Sequence, residues 1–444
     1  MRHRYFEEQR GFTLIEITVA LVAGLFVAMA LMTLAKELGA SFQEETRVAS
    51  TESALRAGIN RLRSDLQRTS FMSTGNIRDD VEIARDATSR MQLGPLADEY
   101  AGLRTLAGLH LVPGAELPLS NINRIAPDSL VIGGNFTTTD VFPVDNFTPS
   151  VRCDEFILWG ASPAIARATA GLATIPERVR ALNQLFQPAG ENAQFLVRFT
   201  DRHGLSVYVP TCREMPAIEY NGAQQFVLRV TAGMMLDTVQ TDGHGGWSGQ
   251  EIREASVNPV QIVQWIIQSW DQLSGNEQAA YAVLGVAVER PTKYYLMRRY
   301  LNLRDGLTGV GIGELISEFA VDLRFSFTVD RSNGGGRSIL DVFDFDEVGG
   351  VQNNANWAGG IDGRAGVPDT QPPGPQRIRS VKVRLSVRAA LADRSADLGV
   401  NTPRDGHVRY CLNVDGCRPG WLEWARVRNV MTEVALPNQA HFFY

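Results

Sequence analysis

Gly11-Phe12-Thr13-Leu14-Ile15-Glu16 opens an apolar run that continues to Ala35, and the reading of that run decides the fold. As a helix, its roughly 24 residues would cross the roughly 30 Å hydrocarbon core of a bilayer. Its one charge is Glu16, on the second helical turn. A carboxylate at the centre of a membrane helix costs about 3 kcal/mol, and less near the interface, so Glu16 calls for a partner. The change from polar leader to apolar helix falls between Gly11 and Phe12. That junction suits cleavage at the cytoplasmic face of a membrane, which would leave a new amine on Phe12. An ammonium there can pair with the Glu16 carboxylate of a neighbouring copy when two helices lie side by side.

The same six residues resemble the class III signal of type IV prepilins and type II secretion pseudopilins. The resemblance implies a prepilin peptidase that cuts after Gly11 and N-methylates Phe12. It also implies that Glu16 guides subunit docking into a helical filament. Two other readings use the same run. An ordinary signal peptide with an exit at Ala28-Met29-Ala30 leaves Glu16 without purpose in the apolar region. A plain signal anchor treats Gly11 and Glu16 as accidents. All three export the bulk of the chain.

Before the run, Arg2, Arg4 and Arg10 stand against Glu7 and Glu8. A basic flank holds that end in the cytoplasm, which makes everything after Ala35 periplasmic on this reading. Lys36 and Glu37 mark the exit, and no proline follows until Pro95. Leu55, Ile59, Leu62 and Leu66 recur with a period near 3.6, with Phe42 and Ala49 as a weaker earlier part, while Arg56, Arg61, Arg63 and Asp65 fall off the stripe. The pattern predicts one helix of about 60 residues, about 90 Å long. Its stop is expected in the Ser70 to Gly75 cluster. Gly39 and Gly58 each lower helix propensity by about 1 kcal/mol and predict local softening. The expected organisation is a leader at 1–11, a membrane and filament-core helix at 12–35, an amphipathic continuation at 36–72 and a β-rich head at 76–444.

The head reads as short strands between turn clusters. Candidates lie at 130–132, 156–159, 195–199, 205–209, 226–230, 294–300, 319–329 and 378–387, while 262–270 fits either a strand or a buried helix. Val321, Leu323, Phe325 and Phe327 alternate with Asp322, Arg324 and Ser326; Val381, Val383, Leu385 and Val387 alternate with Lys382, Arg384 and Ser386. Such alternation predicts antiparallel sheet with one wet face. A long helix on that sheet is an α+β arrangement, and it matches the pilin fold. Between the two strongest strands, Asn333-Gly334-Gly335-Gly336 and Pro372-Pro373-Gly374-Pro375 bracket an expected solvent-exposed insertion at about 331–376. The strand opening at Asp128-Ser129-Leu130-Val131 and the terminal pattern from Val427 to Pro437-Asn438 resemble PilW-type minor pilins, over scattered strands and in a larger head.

Cys153, Cys212, Cys411 and Cys417 all fall in the exported part, where an even count favours disulfides. Three pairings are open; the simplest clips Cys411 to Cys417 around Asp415-Gly416 and leaves Cys153 with Cys212. Zinc lacks a Cys-x-x-Cys pair or a histidine at ligand spacing. Gly309-Val310-Gly311-Ile312-Gly313 follows a charged turn and is a weak phosphate-loop candidate. Asp341, Asp344, Asp346 and Glu347 are weak calcium candidates without EF-hand spacing. His110, His203, His244, His407 and His441 are isolated, and no catalytic constellation or cofactor is expected. A net charge of −6, spread along 444 residues, argues against a nucleic-acid surface.

The expectation is therefore a non-enzymatic structural subunit, a minor pilin that helps prime a type IV pilus. The resemblance implies prepilin peptidase, other minor pilins, the major pilin, a tip adhesin and the inner membrane as partners. A type II secretion pseudopilin shares the signal and fold. A membrane-anchored periplasmic enzyme or binding protein is the alternative from another class, and a closed polar pocket would favour it.

Overall fold

The computed structural model describes residues 13–77, 80, 82, 106–112, 114, 120, 122–123, 125–190, 193–213, 215–232, 254–284, 293–303, 309–330, 340–342, 374–392, 409–413, 416–417 and 423–439. The protein is α+β, with an apolar amino-terminal helix and antiparallel sheets. Helix α1 covers Leu14–Gln67. Residues up to Ser53 and residues from Ala54 onward make two separate compact units.

In the first unit, Leu14–Gly39 has a mean hydropathy of 2.5 and none of its most apolar window is buried. Leu14, Val19, Leu25, Phe26, Leu31 and Met32 are all more than half exposed. This stretch is a candidate membrane anchor.

The second unit begins with the last turns of α1. Here Leu55, Ile59, Leu62 and Leu66 are buried, as the 3.6 period predicts. Each full burial is worth about 2 kcal/mol. They enter one core with Leu130, Ile132, Trp265 and Leu296 of a large sheet and with Leu323, Phe325, Val383 and Leu385 of a small one. Gly58 does not soften the helix there. A Cβ at that position would come within 2.9 Å of Leu385 and 3.3 Å of Leu296, so the missing side chain lets the helix press against both sheets. Asp65, off the apolar stripe, is buried as well. It is 2% exposed, because Arg298 supplies its counter-charge from the large sheet. The helix also ends earlier than the Ser70 to Gly75 cluster and continues as tight turns.

The large sheet contains β1 (Leu109–Val112), β2 (Ser129–Gly134), β3 (Phe142–Thr148), β4 (Cys153–Leu158), β5 (Leu196–Thr200), β6 (Ser206–Pro210), β7 (Ile218–Tyr220), β8 (Phe226–Thr231), β9 (Ser256–Ser269), β10 (Tyr294–Leu301) and β11 (Gly309–Glu318). The stretch 262–270, ambiguous by periodicity, resolves as the end of β9. Its apolar residues face cores on both sides: Ile262 in one cluster, Val263 and Trp265 in the other. β9 is the hub, pairing with β2, β3, β5 and β10. Helices α2 (Pro163–Ala168), α3 (Ile175–Phe186) and α4 (Gly275–Val283) were not expected. Two of them start with capping boxes, Thr174 with Glu177 and Ser274 with Glu277. The glycine run 309–313 is the first half of β11, so it lies within a strand and not in the loop between a strand and a helix that a phosphate loop needs.

The register reveals an insertion that the loop composition did not. β2 pairs directly with β9, from Leu130 opposite Trp265 to Gly134 opposite Gln261. Everything between them, including β3 to β8, α2 and α3, is a lobe let into one antiparallel pair. The lobe has its own core around Phe142, Phe156, Leu182, Phe186 and Phe199. Gln261, fully buried at the junction, accepts from the Phe136 N–H and donates to Thr137 Oγ1 and the Leu185 carbonyl.

The small sheet runs β13 (Leu340–Val342), β12 (Ala320–Asp330), β14 (Ile378–Arg388), β16 (Trp424–Ala435) and β15 (Arg409–Cys411). Its β12 face is not wet. Asp322 and Ser326 are both fully buried, and Asp322 sits between Arg324 and Arg384 at 3.4 and 3.5 Å. The expected insertion at about 331–376 lies largely outside the described residues; within it, β13 pairs with the end of β12.

Candidate functional site

The amino-terminal end of α1 holds the residues singled out in the sequence. Thr13 precedes the helix, and its N–H and hydroxyl both donate to Glu16 Oε2 at 2.9 Å. The Glu16 N–H donates in turn to Thr13 Oγ1 at 3.3 Å. This is a capping box, which satisfies donors that a helix start leaves open. Thr-x-x-Glu is visible in the sequence, and it gives Glu16 a role within its own chain. Oε1 makes no hydrogen bond among the described residues and faces outward with the exposed turn. Gly11 and Phe12 lie outside the described residues. The exposed apolar surface around this carboxylate suits lipid or other apolar helices, and the spare oxygen suits a cationic donor.

The far end of α1 is also held by side chains. Asn438 Nδ2 donates to the carbonyls of Gln67 at 2.9 Å and Thr69 at 3.3 Å, groups that a helix end leaves open. Two positions earlier in the helix, Asp65 Oδ2 accepts from Arg298 Nε at 2.6 Å and Trp265 Nε1 at 3.1 Å. Burial alone would lower the Arg298 pKa, but the Asp65 carboxylate and Tyr300 together outweigh it and hold the guanidinium above its ordinary value. Arg298 also stacks on Tyr300.

Asp128, at the start of β2, joins the two sheets. Its N–H donates to the Leu323 carbonyl, and its carboxylate accepts from the N–H groups of Gly114 and Phe325 and from Arg324. Burial pushes its pKa up against the pull of Arg324 and those two N–H groups.

The disulfides join Cys153 to Cys212 and Cys411 to Cys417, the simplest of the three pairings. The second closes the chain around Gly416, whose φ of +102° requires glycine. Asn123 braces it, accepting from the Cys411 N–H at 2.6 Å and donating to its carbonyl at 3.2 Å. Both bonds fit an oxidising compartment.

Only some of the weaker candidates lie among the described residues. Asp341 lies on β13, while Asp344, Asp346 and Glu347 are outside the described residues, as are His244, His407 and His441. His110 lies on β1 and His203 beside Arg202, whose Nε donates to it. Among the described residues no group of three or more His, Cys, Asp or Glu side chains is placed to hold a metal. Comparison with protein-family models, with curated proteins and with solved structures gives no match to this chain.

Proposed function

We propose that the chain is a prepilin-type structural subunit, a minor pilin resembling the PilW type. The observation that carries this reading is the stretch Leu14–Gly39, exposed and apolar, with Glu16 as the one carboxylate ahead of its exit at Lys36-Glu37 and with one oxygen of Glu16 unused. In this reading the helix holds the subunit in the inner membrane with its start in the cytoplasm and its head in the periplasm. The basic leader and the two disulfides support that orientation. A prepilin peptidase removes residues 1–11 and methylates Phe12. Glu16 Oε1 then receives the Phe12 ammonium of the adjoining subunit, while Oε2 keeps its bonds to Thr13. Other minor pilins, the major pilin and a tip adhesin are the partners it implies.

The test separates docking from capping. Glu16→Gln keeps an oxygen to accept from Thr13 but removes the charge. Loss of filament incorporation by Glu16→Gln, with normal membrane insertion, is the expected result; incorporation equal to wild type would reduce Glu16 to a helix cap. Amino-terminal sequencing of the mature protein should begin at methylated Phe12, and Gly11→Ala should block the cut.

A further inference from the structure

We propose that the inserted lobe carries a reductively opened site for a soft monovalent cation, Cu(I), formed by Cys153, Cys212 and Met215. Met215 Sδ lies 3.8 Å from Cys153 Sγ and 3.9 Å from Cys212 Sγ, so it stands beside the middle of that disulfide. Three sulfurs around one ion at metal–sulfur distances of about 2.3 Å would be about 4.0 Å apart in a trigonal plane. Two of the three separations therefore already match. Only the Cys153–Cys212 separation must widen, and their Cα atoms, 5.9 Å apart, leave room for side-chain rotation to do so.

The thioether is held in place by its surroundings. Gln187, buried at the end of α3, donates from Nε2 to the Met215 carbonyl at 3.2 Å and accepts from the Ala217 N–H at 2.7 Å. Asn183, one turn earlier, bonds both backbone groups of Ile218, at 2.7 and 2.8 Å. Two amides thus fix the turn that carries the third sulfur. Both cysteines are buried, whereas Met215 is half-exposed and offers the way in. Two thiolates and a thioether form a donor set that selects Cu(I) over harder ions. The Cys411–Cys417 bond has no thioether sulfur within contact among the described residues and serves as an internal control.

The chemistry balances with a dithiol reductant. Its thiolate attacks one sulfur of the disulfide, and its second thiol resolves the mixed disulfide. The reductant leaves oxidised; two electrons pass to Cys153 and Cys212, which take up two protons. Cu(I) then displaces both thiol protons to water and binds two thiolates and Met215 Sδ, with no further electron transfer.

The test uses the full chain in detergent carrying Cys411→Ser and Cys417→Ser, reduced and freed of reductant without oxygen. It is titrated with Cu(I) against a chromogenic Cu(I) chelator. One Cu(I) per chain, with three sulfur neighbours by X-ray absorption, is expected. Met215→Leu should weaken binding by about tenfold or more, since even losing an outer partner acts on that scale. Absence of binding, or equal affinity in the Met215→Leu chain, would overturn the proposal. Circular dichroism of each reduced chain guards against unfolding, and a chain that loses its fold on reduction also overturns it.

Discussion

Leu14–Gly39 and residues 54–67 belong to the same helix and solve opposite problems. The first is strongly apolar and buries none of its most apolar window against its own chain. The second places four apolar side chains in a core between two sheets and buries a carboxylate beside an arginine. Hydrogen bonding along the backbone is the same in both. What differs is burial: the side chains of the later segment find partners within the chain, and those of the earlier one stay exposed. The comparison teaches that a helix's backbone pattern says little about what holds it, and that Glu16 and Asp65 are the places to test this.

The largest effect is expected at Asp65. Asp65→Ala would leave Arg298, itself 3% exposed, with only the longer 3.6 Å pairing to Glu314, and cost the head about 4 kcal/mol in a urea titration of the full chain. Leu62→Ala should cost about 3 kcal/mol by the same measurement. Leu25→Ala, in the exposed segment, should leave the head's urea midpoint where it is; a comparable loss there would break the contrast. Asn438→Ala should remove about 1 kcal/mol and speed amide exchange in the last helical turn. The smallest effect is a slope with pH. In the folded chain Asp128 keeps its proton to a higher pH than in the unfolded chain. Between those two pKa values the folded state binds the extra proton, so stability falls as pH rises, and above the folded value that loss is complete. Asp128→Asn should remove this decline, read as the urea midpoint from about pH 4 upward.

Features that depend on local pattern were legible in the sequence. The stripe from Leu55 to Leu66 and the alternation in β12 and β14 identified their elements, because apolar side chains repeat with the period of the structure they form. Features set by distant partners were hidden. Asp65 reads as a surface charge until Arg298, 233 positions away, is brought beside it. Asp322 reads as the wet face of a strand until Arg324 and Arg384 close around it. The lobe between β2 and β9 has no compositional border, since its strands look like those on either side. Two of the three short helices were legible: Thr174-x-x-Glu177 and Ser274-x-x-Glu277 mark their starts as Thr13-x-x-Glu16 marks that of α1. At Glu16 the local pattern gives the cap that the structure shows, and the proposed docking would use the other oxygen of the same carboxylate.

Asn438 closes the end of a helix whose last residue lies 371 positions earlier. A copy cut short before Pro437 would carry the whole amino-terminal stretch yet leave the Gln67 and Thr69 carbonyls without that donor. The end of that helix therefore gains this donor only once the chain has been delivered through Asn438, which ties a local element to a distant stretch.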